Sequence, residues 1–391
     1  MKKLVLNSAG IEKIKSKNLW VYNREIKRVP SGVKVGELVR LYSGSGEFLG
    51  IGYINPRSKI TVRVLSFQEV QIDREFIRER IERALKLRED IRKKSDAFRI
   101  VHSEADMLPG LVADYYSGYL SIQINTAGME NLRSEILASL VELLDPKGIV
   151  EKSDRHSREV EGLTSEESVI YGDIPKEIRI TENGLRFSVN LLQGQKTGFY
   201  LDQRANREKV SWYVKPEFRV LDLFSNTGGF GVYAFSKGAT FVKFVDISES
   251  AVSLIERNLK LNSYKEYEIV KRDVFNFLKQ ELRTDNRYDM IVIDPPAFAK
   301  SKNEREGAIR GFKYLILNSL KLLNPEGYMA VFSCSHHISH QDLLDTLYEA
   351  LRDTSFIVRY IDTLHQDLDH PYLVNIPTSF YLKGFLVQKL G

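Results

Sequence analysis

The sequence is short of cysteine, of tryptophan and of long apolar runs. A single Cys among 391 residues excludes an internal disulfide framework and any Cys-clustered metal site. No run of about 18 apolar residues exists to span a bilayer. The opening Met1-Lys2-Lys3-Leu4-Val5-Leu6-Asn7 lacks the apolar stretch of a signal peptide. A cytoplasmic location without membrane partners is expected, and no metal. A dominant charge is missing too: 57 Lys/Arg against 52 Asp/Glu leave +5, too little for a generic polycation.

What is present is unevenly spread. Residues 1–70 carry 13 Lys/Arg against 5 Asp/Glu, a local +8, whereas residues 71–170 carry 15 against 20. An anionic partner is therefore expected at the N-terminal end. At roughly 150 residues per domain the length suggests two or three domains. Residues 1–67 show alternating strands, Glu37–Tyr42 and Ile60–Leu65 among them, between turns at Val29-Pro30-Ser31-Gly32 and Ser43-Gly44-Ser45-Gly46. A small β-barrel fits. Residues 73–98 read as one long amphipathic helix, followed by strands at 111–124, a helix near 129–144 and a polar loop at 151–168. These make a small α+β module over 68–172. From 173 onward a hairpin turning on Asn183-Gly184 precedes apolar runs at 220–224, 241–245, 290–293 and 328–332, each followed by helical periodicity. That repetition indicates an α/β domain whose parallel sheet is covered on both faces.

Val220-Leu221-Asp222-Leu223-Phe224-Ser225-Asn226-Thr227-Gly228-Gly229-Phe230 is an apolar strand ending in a small-residue turn, with a helix expected from Thr227. Glycines there permit close approach of a nucleotide-like ligand to the backbone. Asp222, inside the strand, suits no pyrophosphate but suits an adenosyl ligand with a cationic amino-acid tail. Asp246, with Ile247 after it, ends the second strand where a carboxylate can accept ribose hydroxyls. Asp273 follows the third strand and is placed to reach an adenine amino group. Asp294-Pro295-Pro296-Ala297-Phe298 ends the fourth. Each acid alone could be a surface acid or a helix cap. The four in this order resemble the class I S-adenosylmethionine-dependent methyltransferases, with a Rossmann-like fold. The resemblance implies S-adenosylmethionine as cofactor, held by Asp222, Phe224, Ser225, Asn226, Thr227, Gly228, Asp246, Ile247, Asp273 and Asp294.

Two acceptors fit the residues. Asp-Pro-Pro followed by an aromatic is the pattern of amino-group methyltransferases, in which carboxylate and carbonyl hold an exocyclic amine and the ring stacks on a purine; here one residue, Ala297, is inserted. The fifth strand ends in Ser333-Cys334-Ser335-His336-His337, which offers a thiol. Carbon 5 of cytosine becomes nucleophilic only after a thiolate adds to carbon 6, so that chemistry needs such a group, with Asp294 placed to hold the nitrogen edge of the ring. A buried small hydrophobe is the ordinary alternative for Cys334. An RNA-binding assembly factor with a vestigial fold is a third reading, opposed by the intact acids.

Further motifs narrow the family: Gln195-Lys196-Thr197-Gly198-Phe199-Tyr200-Leu201-Asp202-Gln203-Arg204, His102 through Leu111, and Tyr381-Leu382-Lys383-Gly384. With these the chain resembles the 23S rRNA cytosine-carbon-5 methyltransferases that carry an N-terminal PUA domain. The resemblance covers essentially the whole sequence. It implies a PUA domain at 1–67, a central α+β domain at 68–172 and a catalytic domain at 173–391. It implies Cys334 as nucleophile, large-subunit rRNA as partner, and a homodimer as an available assembly. Related carbon-5 enzymes place a second cysteine after the fourth-strand proline; Pro296 and Ala297 stand there instead. Tyr200 and Arg204 are candidates to close over the cofactor; the bland alternative is a helix capped by Asp202 with Arg204 and Arg207 in solvent. Lys13, Lys15, Lys17 and Arg24 are the candidate phosphate contacts, while Trp20 reads as a core residue.

Overall fold

The computed structural model describes residues 1–164, 167–192, 198–299 and 301–390. Gln195, Lys196 and Thr197 of the long motif lie outside them. The chain forms two compact units. The first comprises residues 1–181, 189–201 and 368–379, the second residues 182–188, 202–367 and 380–391.

In the first unit, alternating apolar residues fold the N-terminal stretch into a six-stranded sheet. Its order is Trp20–Tyr22, Ile60–Ser66, Phe48–Ile54, Glu37–Tyr42, Lys2–Leu6, Ile26–Arg28. One pairing, Lys2–Leu6 on Glu37–Tyr42, is parallel rather than antiparallel. Leu4, Leu6, Val39, Leu41, Val62 and Val64 fill its core, each contributing about 1.5–3 kcal/mol by leaving water. A five-stranded sheet follows, built from Ala97–His102, Leu111–Tyr116, Tyr119–Ile124, Gly148–Glu151 and Ser168–Gly172.

Two expectations for this middle stretch need correction. The helix begun at Arg74 ends at Leu87 instead of running to 98. Arg88 turns inward there, fully buried, and forms a two-pronged pair with Asp106 at 2.6 and 2.7 Å. The chain then returns as a strand at Ala97–His102. The supposed loop at 151–168 contains a helix, Arg155–Glu161, because Asp154 caps it by accepting from the Ser157 N–H.

The second unit holds a seven-stranded sheet. Its strands are β1 (Arg219–Leu223), β2 (Phe241–Asp246), β3 (Tyr267–Lys271), β4 (Tyr288–Ile293), β5 (Leu323–Ser333), β6 (Ile357–His365) and β7 (Lys383–Leu390). Between them run α1 (Gly229–Ser236), α2 (Glu249–Leu261), α3 (Val274–Glu281), α4 (Arg305–Leu322) and α5 (His340–Arg352). The order is β3-β2-β1-β4-β5-β7-β6, parallel from β3 through β5, with β7 antiparallel to both neighbours. The order reverses at β1, between β2 and β4, and the carboxyl ends beside such a reversal form a ligand crevice. Leu221, Leu223, Ile291, Ile293, Met329 and Val331, fully buried on the middle strands, hold that edge in place.

Candidate active site

The turn after β1 is wound tightly: Phe224, Asn226 and Gly228 all take positive φ, at 60°, 48° and 74°. The helix starts at Gly229, two residues later than Thr227, because Gly228 is left-handed. Gly231 has a packing reason, since a Cβ there would stand 2.1 Å from the Phe244 ring. Its N–H donates to Asp222 Oδ2 at 3.1 Å. The glycines thus seat α1 on the sheet and aim its amides at Asp222.

Asp222 is 1% exposed. Burial pushes its carboxyl well above the usual range; the Gly231 N–H pulls the other way, and the negative charges of Asp294 and Asp246 raise it further. A buried carboxylate whose ionisation is disfavoured by its surroundings makes a site that gains by receiving a cation. Asp246 Oδ2 accepts from the Asn226 N–H and Oδ1 from the Ser248 N–H, both at 2.9 Å. The carboxylate is thereby fixed with lone pairs still available to hydroxyl donors. Ile247 beside it is 67% exposed, an apolar surface for a flat ring.

Other candidates also make scaffold contacts. Ser225 Oγ donates to the Asp222 carbonyl at 2.6 Å and accepts from the Val245 N–H at 2.9 Å, tying β1 to β2. The Thr227 carbonyl accepts from Asn258 at 2.8 Å. Asp273 Oδ1 accepts from the Asn276 N–H at 3.0 Å as the N-cap of α3. Phe224 meets Phe298 edge to face at 6.1 Å.

The long motif before β1 departs from its bland reading. Asp202 does not cap the helix Arg204–Ser211, whose N-cap is Gln203; it accepts from the Tyr381 hydroxyl at 2.7 Å. The arginines are buried rather than in solvent. Arg204 pairs with Asp367 at 2.8 Å, and Arg207 grips Glu182 through two hydrogen bonds of 2.9 and 2.8 Å, with the Tyr233 hydroxyl donating to the same carboxylate. Arg207 also lies under Gly229, where a Cβ would come within 2.7 Å of its side chain. Tyr200 is half-buried and belongs to the first unit.

At the β5 end, Ser333 and Ser335 are buried, with Ser335 Oγ accepting from the Ala299 N–H at 3.2 Å. Cys334 between them is partly exposed, so it is not sealed into hydrocarbon. Lys383, opposite Ser333 on β7, is 5% exposed and donates to the Ser335 carbonyl at 2.8 Å. Burial pushes its ammonium pKa down; negative charge on Cys334 and on Asp342 would push it up. Sequence reasoning assigned Lys383 no role. Its signal was a lysine opening the apolar run Phe385-Leu386-Val387.

The candidate RNA contacts are more engaged than expected. Lys13 pairs with Glu25 at 3.3 Å and sits 3.8 Å over the Tyr22 ring, Lys15 pairs with Glu47 at 3.5 Å, and Lys17 lies 4.5 Å over Phe67. Arg24 is exposed. Trp20 is half-buried against the core, its indole N–H donating to Glu104 at 2.9 Å.

A carboxylate-lined crevice at the reversal of a β3-β2-β1-β4-β5-β7-β6 sheet defines a class I methyltransferase, and the residues fit its cofactor: a buried acid for the cationic tail, a fixed acid for the ribose and an exposed apolar side chain for the base. A family described as S-adenosylmethionine-dependent methyltransferase matches residues 161–371, and a PUA-like domain matches residues 4–67. The chain is 38% identical over 384 residues to Ribosomal RNA large subunit methyltransferase I of Vibrio cholerae, covering 96% of each chain. It is 38% identical over 378 residues to the protein of that name in Tolumonas auensis, covering 95% of each. It belongs to this family of S-adenosylmethionine-dependent methyltransferases with an N-terminal PUA-like domain. Among solved structures, a methyltransferase complexed with SAH superposes with a TM-score of 0.86 at 24% identity, over 99% of this chain and 100% of that one. A Streptococcus mutans chain described as a SAM-dependent methyltransferase gives 0.84 at 24% identity with the same coverage. Among the described residues, no helix is long and apolar enough to cross a membrane.

Proposed function

We propose that the protein methylates carbon 5 of a cytidine in large-subunit rRNA, through a transient bond from Cys334 to the base. The observation carrying this reading is the setting of Cys334: an accessible thiol at the carboxyl end of β5, pinned between two buried serines, with the buried Lys383 ammonium bonded to the next carbonyl. The names of the curated relatives support the substrate class. Bound S-adenosylmethionine supplies a methyl group on a sulfonium centre. Asp222 holds the positive end of that ligand, and Asp246 orients its ribose.

The Lys383 ammonium favours the thiolate of Cys334 over the thiol. Cys334 Sγ adds to carbon 6, and the displaced ring electron pair makes carbon 5 the nucleophile that takes the methyl group. A base then removes the carbon-5 proton, and the electrons of that bond expel Sγ, restoring the ring and the thiolate. Asp294 at the end of β4 holds the nitrogen edge of the base. The target nucleotide must leave its stack to be reached from both faces. The N-terminal PUA-like domain contributes contacts to the phosphates, with Arg24 the most available of its candidates.

A purine N-methyltransferase would need the Phe298 ring as a stacking platform. That ring, only partly buried, is engaged with Phe224, Phe275 and Phe312 at 5.2–6.1 Å. Incubation with rRNA fragments containing 5-fluorocytidine tests the covalent reading. Fluorine blocks the last elimination, so a stable protein–RNA adduct through Cys334 is expected. Methylated purine with no adduct would refute it.

A further inference from the structure

A cationic groove runs along α3. Arg272, Asn276, Lys279, Gln280 and Arg283 line it. Asn276, Lys279 and Gln280 share one face of the helix at i, i+3 and i+4, with Arg272 just before its N-cap and Arg283 just after its last turn. Among the described residues, none of the three cations lies within 4.0 Å of a carboxylate oxygen. The Arg272 guanidinium donates to the Gln280 side-chain carbonyl.

On another charged helix, exposed cations are neutralised at home. On the helix Arg74–Leu87, Arg78 pairs with Glu75, Arg83 with Glu79 and Lys86 with Glu82. The nearest acids on α3 are turned to other tasks: Asp273 caps the helix, and Glu281 is buried against Lys243 and Tyr288. Three uncompensated cations interleaved with two amides form a surface for a chain of anions. Arginine and lysine supply charge, and Asn and Gln donate hydrogen bonds to phosphate oxygens.

The position of the groove fits such a ligand. Arg272 N–H donates to the Asp246 carbonyl at 2.9 Å, so one end lies at the rim of the cofactor crevice. Phe275 on the same helix packs on Phe298 at 6.1 Å, which ties α3 to the loop carrying Asp294. We infer that this face of α3 is a phosphodiester-binding groove for substrate RNA, with Arg272, Lys279 and Arg283 holding the backbone beside the target nucleotide. This inference rests on RNA being the substrate. Its contacts read charge rather than sequence, so it positions RNA without selecting the base.

The test is RNA binding by the full chain across a salt series, followed by fluorescence anisotropy with a short single-stranded RNA. The triple variant Arg272→Gln, Lys279→Gln, Arg283→Gln should lower the slope of log K against log salt by about 2. Binding at 0.1 M salt should weaken by about a hundredfold. A second triple variant, Arg78→Gln, Arg83→Gln, Lys86→Gln, removes the same charge from the paired helix and should leave the slope nearly unchanged. Melting curves check that both variants fold. An unaltered slope in the α3 variant overturns the groove, and so does an equal loss in both variants, which would mean net charge alone. A wild-type chain that binds RNA without salt dependence, or not at all, sinks the RNA reading itself.

Discussion

The two ends of one sheet edge are built on opposite electrostatic plans. Beside β1 and β2, Asp222, Asp246 and the neighbouring Asp294 crowd together, and burial makes Asp222 reluctant to ionise. Beside β5 and β7, a thiol stands by a buried lysine that the same burial makes reluctant to stay protonated. The first end gains stability by accepting a cation. The second gains by creating an anion. On the proposed reading, a donor that carries positive charge and an acceptor reaction that needs a thiolate would thus share one crevice, divided by polarity.

The contrast can be broken most directly at Cys334. Cys334→Ala should reduce methyl transfer by about 10⁴-fold or more, while isothermal titration finds S-adenosylmethionine binding nearly intact. Equal loss of both would mean that the two ends are not separate. At the other end, Asp222→Asn should weaken cofactor binding by about 10–100-fold, the range of a lost charge-assisted contact. The same change should stabilise the empty protein. The sign follows from linkage: a carboxyl whose folded pKa is raised makes the folded state hold more protons than the unfolded chain. Stability then falls as pH rises from the ordinary Asp range through the raised value, and Asn removes that loss. At pH 7 the expected gain in melting temperature is about 2–4 °C for each kcal/mol recovered. A lower melting temperature would place Asp222 among ordinary structural acids.

Lys383 sharpens the other side. Lys383→Met should raise the pH midpoint of Cys334 alkylation by iodoacetamide by about one unit or more, whereas Lys383→Arg should restore part of the shift. If both variants alkylate like the wild type, Lys383 is only a tether for the Ser335 carbonyl. The smallest effect is expected at Asp273. Asp273→Asn keeps a good N-cap, so stability should hold and cofactor affinity should change by less than about threefold; Asp273→Ala should cost about 1 kcal/mol of stability. A large affinity loss in the Asn variant would restore Asp273 to the adenine contact that its sequence position suggests.

Much of this was legible in the sequence for identifiable reasons. The β1 turn, Asp246 and Asp294 sit at fixed offsets from apolar strands, so periodicity alone located them. Cys334 was visible because a strand-end position after a continuous apolar run points at the crevice. What escaped was chemistry made by distant pairing. The alternative that left Arg204 and Arg207 in solvent failed because Asp367 and Glu182 are far away in sequence, and buried ion pairs leave no local pattern. The helix stop at Arg88 depends likewise on Asp106 receiving its guanidinium. Lys13 and Lys17 looked like free charge because nothing local announces a ring beneath them.

The antiparallel β7 has a temporal implication. It slots between β5 and β6, and it brings the Lys383 ammonium to the Ser333–Ser335 corner. On the proposed reading, a sheet without that insert would leave the sulfur without its buried counter-charge, so reactivity would arrive only with the completed sheet.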